Sequence, residues 1–220
     1  FYNYTPADFF GTTLPVFAVS AALILVLCLL IKNVPLGTEN TEEVALENKR
    51  FLAFYVILFI LCLLAVFGFM DVIVVFASVC VVAIILDMRL FTAVDYSLLL
   101  TFASFFVFVG NLQNMPAVNE FVTKLVEGQE FLASTLVSQV ISNVPAAFML
   151  SGFTDNGRAL VLGTNVGGLG TLVASLASLI SFRIYMETDE AKPIKYLGVF
   201  TLINVILLAI IYPFTYYFVL

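Results

Sequence analysis

The residues best suited to chemistry lie where polar residues interrupt an apolar stretch. Residues 131–153 are apolar except around Ser138, Ser142 and Asn143, and Pro145 follows two residues after Asn143. Hydroxyl, amide and carbonyl oxygens are the ligands of hard cations such as Na⁺. Proline is accepted in the first turn of a new helix, whose free N–H groups attract anions. The segment is therefore a candidate ion site, and a kinked helix whose polar groups only satisfy the backbone is the alternative.

A second apolar stretch, residues 158–186, is interrupted by glycines and small polar residues. Closely spaced glycines allow helices to pack tightly. They also permit an unwound segment whose carbonyl groups face a cavity. Both interpretations stay open for Gly163, Gly167 and Gly170. Asn165 favours a cavity, because a buried amide needs hydrogen-bond partners.

The elements that position these segments are predicted to be membrane helices. Hydrophobic residues make up 62% of the chain and charged residues 11%, against about 45–50% and about 25% in soluble domains. A bilayer core takes about 20 apolar residues in a helix. The predicted fold is therefore all-α, with about six transmembrane helices, one of them broken, and one helical hairpin. The predicted spans are residues 13–32, 51–68, 71–88, 95–112, 158–186 and 194–219, with a polar loop at 33–50 and an interfacial segment at 113–130.

The positive residues decide how residues 131–153 enter the membrane, because cytoplasmic loops carry the excess of Lys and Arg. With the N-terminus outside, a re-entrant hairpin leaves only Lys124 and Arg158 outside. If residues 131–153 instead cross the membrane once, the excess of Lys and Arg on the inside disappears. Each half of the hairpin is also too short to cross the membrane by itself. We therefore expect a hairpin that enters from the outside of a bacterial plasma membrane, with the C-terminus outside.

Composition argues against several other classes of protein. The chain has no histidine, which is the commonest metal ligand and general base, so we expect neither an enzyme nor a catalytic residue. A formal charge of −6 without a basic patch argues against nucleic acid as a partner. Cys28, Cys62 and Cys80 lie in apolar runs and are predicted to be buried hydrophobes, not disulfides or metal ligands.

The two interrupted segments carry a family resemblance. SNVPAAFML and GTNVGGLGTLVASLASLI resemble the second half of the ion transporter superfamily, and the arsenite-permease-like branch is most similar. That superfamily also includes sodium–proton antiporters, citrate carriers and divalent-anion–sodium symporters. The resemblance is clearest over residues 95–186. It implies the second repeat of an inverted-repeat transporter, so we expect the chain to be a fragment whose N-terminal repeat is missing.

The resemblance also implies four parts of the chain. Residues 1–50 would be the last helix of a preceding repeat and a cytoplasmic loop, and residues 51–130 would be scaffold helices. Residues 131–186 would be the hairpin and broken helix that move in an elevator mechanism, and residues 187–220 the last helix. The implied partners are the lipid bilayer, the missing repeat and a second copy in a homodimer.

The site residues follow from the same resemblance. The implied cation ligands are Ser138, Ser142, Asn143 and the carbonyl of Ala174. Val144 replaces a threonine of the dicarboxylate carriers, and Ser178 stands where relatives have asparagine. The implied substrate ligands are Ser142, Asn143, Val144, Asn165, Ser175 and Ser178.

The predicted function is secondary active transport of a small inorganic or organic anion. Na⁺ is the candidate coupling ion, and no other cofactor or metal is expected. A sodium–proton antiporter is an alternative, although the apolar runs lack the ionisable residue that such an antiporter usually carries at membrane depth. A membrane scaffold or half-transporter subunit that moves nothing is the alternative from another class.

Overall fold

The regular structure of the described residues is helical throughout. The computed structural model describes residues 2, 4–32, 49–86, 88–188 and 191–220, so the predicted loop at 33–50 lies almost wholly outside them. The elements are α1 (Pro6–Leu30), α2 (Lys49–Val66), α3 (Val72–Leu86), α4 (Leu90–Ala93), α5 (Tyr96–Gln113), α6 (Pro116–Val126), α7 (Glu130–Ile141), α8 (Asn143–Leu150), α9 (Gly157–Gly167), a 3₁₀ turn (Leu172–Ala174), α10 (Leu176–Met186) and α11 (Pro193–Phe218).

Two of these helices, α1 and α11, are long and apolar enough to cross a membrane. Shorter apolar helices lie within α2, α3, α5, α7 and α10. Many large apolar side chains point outward, such as Leu29, which is 76% exposed, and Ile85, which is 74% exposed. The prediction of an all-helical chain is confirmed for the described residues, and its apolar exterior is compatible with a membrane protein.

Helix α1 begins earlier than the predicted residue 13 because a capping box starts it. The Thr5 hydroxyl accepts a hydrogen bond from the Asp8 N–H (3.2 Å), and the Asp8 carboxylate accepts one from the Thr5 N–H (3.0 Å). Pro6 follows at the first helical position, where a missing N–H is harmless. An apolar count alone does not detect such a start.

The chain divides into two compact units. The larger comprises residues 1–31 and 100–220, and the smaller comprises residues 32–99. In the smaller unit, α2 packs against α3. The predicted scaffold, residues 51–130, is shared between the two units, and its role as a scaffold stays a prediction.

The core of the larger unit joins α1, α7, α9 and α11. Leu162 and Val166 of α9 have no exposed surface, and Ile211 of α11 is almost completely buried. Helix α9 is therefore the central element, and it carries the second interrupted segment. The buried cluster is Val16, Phe131, Ala159, Leu162, Val166, Leu207, Ile211 and Val219.

The predicted burial of the cysteines was wrong. Cys28 and Cys62 are exposed, and Cys80 is only half-buried. The outer faces of these helices are themselves apolar, so an apolar neighbourhood in the sequence did not indicate burial. The described cysteines are free thiols.

Candidate functional site

A single residue separates α7 from α8. Ser142 has a φ of +75°, which places a non-glycine residue in a conformation that is rarely adopted. Its N–H still donates to the Ser138 carbonyl (3.1 Å), and its own carbonyl accepts from the Ala146 N–H (3.0 Å). The new helix begins at Asn143, before the predicted start at Pro145, which instead occupies the first turn.

Helix α8 runs back along α7. Leu150 at its end is buried in a cluster against which Ala133 and Val137 of α7 pack. The start of α7 and the end of α8 open into one cleft of about 500 Å³, whose lining includes Glu130 and Ser151. Both ends of this interrupted segment therefore lie at the same end of the larger unit.

Helices α7 and α9 run in the same direction and pack at close range through small residues. A Cβ atom on Gly163 would lie 2.6 Å from the Phe131 carbonyl oxygen, and one on Gly167 would lie 2.8 Å from the Ser138 Cβ. The Thr135 hydroxyl donates to the Gly163 carbonyl across this contact (3.1 Å). The packing interpretation therefore holds for Gly163 and Gly167.

Two of the predicted cation ligands are buried in these contacts. Ser138 has no exposed surface, and its hydroxyl donates to the Ser134 carbonyl (2.7 Å). Ala174 is fully buried in the 3₁₀ turn. Their part in cation binding stays a prediction.

The chain unwinds after α9. Gly170 has a φ of +109°, so the unwound interpretation holds at this glycine. After the 3₁₀ turn, the Ser175 hydroxyl accepts a hydrogen bond from the Ala177 N–H (3.1 Å) and caps the N-terminus of α10. The second interruption thus ends in a new helix N-terminus, as the first one does.

Gln139 of α7 joins the two interruptions, and the sequence prediction missed it. Its Nε2 donates to the carbonyls of Gly167 and Leu169, both at 2.7 Å, and its Oε1 accepts from the Thr171 N–H (3.1 Å). Its backbone carbonyl accepts from the Thr171 hydroxyl (3.1 Å). The available signal was a long amide side chain just before one break, beside a second break whose freed backbone groups need partners.

A shallow pocket of about 360 Å³ lies where these elements meet. It brings together four of the predicted substrate ligands: Asn143, Asn165, Ser175 and Ser178. Ser142 and Val144 do not line it. The remaining lining residues are Gly168, Leu169, Ala177, Ser181, Phe200 and Asn204.

The chemistry of this pocket is polar and neutral. None of its lining residues is charged, and two helix N-termini, those of α8 and α10, open at its edge. Helix N-termini carry partial positive charge and N–H groups without intrahelical partners. Asn204, from the middle of apolar α11, contributes an amide that the sequence prediction did not include. Such a lining offers a small ligand hydroxyl and amide groups, which can both donate and accept hydrogen bonds.

Tyr2 bonds to the loop between α8 and α9. Its hydroxyl donates to the carbonyls of Thr154 (2.7 Å) and Ser151 (3.3 Å). A Cβ on Gly157 would lie 2.7 Å from a carbon of the Tyr2 ring. Burial and the neighbouring Asp155 carboxylate raise the pKa of Tyr2 to about 12, so its hydroxyl remains a donor at neutral pH.

Comparison with known proteins finds membrane proteins that are longer than this chain. The uncharacterized transporter MJ0456 of Methanocaldococcus jannaschii is 37% identical over 142 residues, which are 64% of this chain and 39% of that protein. The inner membrane protein YbiR of Escherichia coli is 39% identical over 103 residues, 46% of this chain and 28% of that protein. The chain thus spans well under half the length of either relative. No family model and no solved structure matches it.

Proposed function

We propose that this chain is part of a secondary active transporter that moves a small inorganic or organic anion across a membrane. The observation that carries the proposal is the pocket, because residues from both interrupted segments line it together. Interrupted helices that meet in this way form the substrate sites of many transporters. One relative is named a transporter and the other an inner membrane protein, which supports membrane transport in general.

The lining favours an anion over a proton as the transported species. Proton coupling usually needs an ionisable side chain at membrane depth, and the residues lining this pocket include none. Na⁺ is the proposed coupling ion, with Ser138, Ser142, Asn143 and the Ala174 carbonyl as its ligands. Ser138 remains in this set because a hydroxyl that donates one hydrogen bond keeps acceptor lone pairs.

Contacts at the outer end support a re-entrant hairpin. Tyr2, just before α1, contacts the loop that follows α8, and Arg158 at the start of α9 donates to the Val219 carbonyl at the end of α11 (2.6 Å). The two ends of this chain and that loop therefore share one end of the larger unit. We assign that end to the outside of the membrane, because the Lys and Arg distribution favours this orientation. In the full-length protein, Asp155→Cys should then react with an impermeant thiol reagent added to intact cells, and labelling only after permeabilisation would refute this orientation.

The elevator mechanism is part of the same proposal. The tight glycine contacts between α7 and α9 suit a hairpin and broken helix that move together as one body. Residues 51–130 would supply the scaffold and the dimer interface.

The function is tested by thermal unfolding of the full-length protein with a panel of small anions, each with and without Na⁺. A ligand that binds only the folded state raises the apparent melting temperature. At a hundredfold excess over its Kd it adds about 2.7 kcal/mol to the free energy of unfolding. We expect at least one anion to do so, and to do so more strongly with Na⁺. If no anion raises the melting temperature, a scaffold that transports nothing becomes the better account.

A further inference from the structure

We propose that Gln139 is a positioning residue that holds the turn after α9 in the shape that the anion pocket requires. The inference rests on the proposed function of that pocket. Gln139 does not line the pocket itself, so its effect would pass through the backbone that it binds.

The first observation is that the Gln139 side chain forms hydrogen bonds with three backbone groups of this turn. Where α9 ends, the carbonyls of Gly167 and Leu169 and the N–H of Thr171 leave the helical hydrogen-bond pattern. Each of them pairs with the Gln139 amide, at 2.7, 2.7 and 3.1 Å. An amide is well matched to this task, since it offers two donors and an acceptor on one planar group.

The second observation is that the backbone of the turn lies very close to this side chain. A Cβ atom on Gly170 would lie 3.1 Å from Cδ of Gln139 and 3.3 Å from its Nε2. Gly170 also has a φ of +109°, which side chains rarely permit. The glycine therefore lets the backbone approach the amide of Gln139 from α7.

The third observation links the turn to the pocket. Gly168 and Leu169 line the pocket, and a Cβ on Gly168 would lie 3.2 Å from Nδ2 of Asn143. The same turn leads through the 3₁₀ turn to Ser175, which caps α10 and also lines the pocket. A change in the turn would thus displace two walls of the pocket, and through Gln139 it would loosen the connection between the two interrupted segments.

The substitution Gln139→Glu makes this role testable by pH. A protonated carboxyl keeps one donor and one acceptor for the turn, whereas a carboxylate presents only acceptors to the two carbonyl oxygens. Glu130 of α7 and Arg158 of α9 lie at the opposite ends of their helices, and α8 and the 3₁₀ turn contain no charged residue. In the neighbouring helices, Glu120 and Lys124 of α6 pair with each other (2.6 Å), and Arg183 lies in the last turn of α10. The protonation state of residue 139 itself should therefore control the turn.

The experiment is hydrogen exchange of the full-length protein in lipid nanodiscs, followed by mass spectrometry of peptides that cover residues 163–178. At about pH 8, Gln139→Glu should raise exchange in these peptides at least about tenfold over wild type, since backbone groups of the turn lose their partners. At about pH 4, where even an ordinary glutamate is mostly protonated, exchange should return to within about twofold of wild type at that pH. Gln129→Glu is the matched control, because this exposed glutamine precedes the same helix, and it should follow wild type at both pH values.

Anion uptake by the same variants gives the second readout. Gln139→Glu should take up the anion found in the thermal panel at low pH and lose most of this uptake at high pH, relative to wild type and Gln129→Glu. Wild-type exchange in residues 163–178 at both pH values would overturn the inference, and so would a rise throughout the chain that persists at low pH. If the wild type transports no anion, the proposed function fails, while the exchange result still decides whether Gln139 controls the turn.

Discussion

The helix pair α2–α3 and the group α7–α9 bury very different residues. Of the described residues in α2 and α3, only Val75 is buried, and side chains such as Ile73 and Phe76 point outward. In α7–α9 the contacts are made by residues such as Ser138, Gly163 and Gly167. In α7–α9 small and polar residues make the closest helix contacts beside buried apolar residues such as Leu162, whereas most described apolar side chains of α2 and α3 point outward. Close contacts through small residues are expected where lipid surrounds the helices.

Of the variants that test this difference between the two groups of helices, Gly163→Ala should lower stability most. The added methyl group would meet the Phe131 carbonyl oxygen at 2.6 Å, and backbone cannot move aside cheaply. We expect a loss of stability of about 3 kcal/mol, measured as a fall in apparent melting temperature in one detergent.

Gly198→Ala is the matched control for that variant. Gly198 lies in α11, where an added Cβ would meet nothing within 4 Å. This change should stabilise the protein by at most about 1 kcal/mol, the helix preference for alanine over glycine. Equal melting temperatures for the two variants would show that α7 and α9 do not pack closely at Gly163.

A smaller effect is expected from Tyr2→Phe, which changes a contact with the loop between α8 and α9. The variant loses the hydrogen bonds to the carbonyls of Thr154 and Ser151, which should cost about 1 kcal/mol. Folding raises the pKa of Tyr2 from its ordinary value of about 10 to about 12, so its contribution is fully present below about pH 10 and is lost as the pH rises through about 12.

Thermal unfolding of wild type and Tyr2→Phe over that pH range checks this prediction. The difference in melting temperature between them should be constant up to about pH 10 and should shrink above it. If the two melting temperatures are equal at neutral pH, the Tyr2 hydroxyl does not stabilise the loop after α8.

Both interruptions could be predicted from local sequence. Proline and glycine limit where a helix can continue, so the breaks beside Ser142 and at Gly170 were visible without any tertiary information. Asn143 was identified for the same reason, since it lies where a new helix begins, whereas Ser175, which caps α10, was implied by the family resemblance.

Long-range contacts could not be predicted in this way. Gln139 binds backbone groups 28 to 32 positions later, and Tyr2 binds a loop about 150 positions away. Such pairs depend on how helices pack, which a pattern of apolar residues does not specify. The prediction that the cysteines are buried failed for a related reason, because the sequence pattern does not distinguish an outward apolar face from a buried one.

The most direct test of the anion pocket is uptake by Asn143→Ala in vesicles that contain the full-length protein. Asn111→Ala is the control, because the Asn111 amide donates to the carbonyl four residues earlier in α5 (2.8 Å) and lies outside the pocket. Loss of a hydrogen bond to a charged ligand is worth about 1.5–3 kcal/mol, so Na⁺-dependent uptake should fall about tenfold to a hundredfold in Asn143→Ala and stay unchanged in Asn111→Ala. Unchanged uptake in Asn143→Ala would contradict an anion site built from the two interrupted segments.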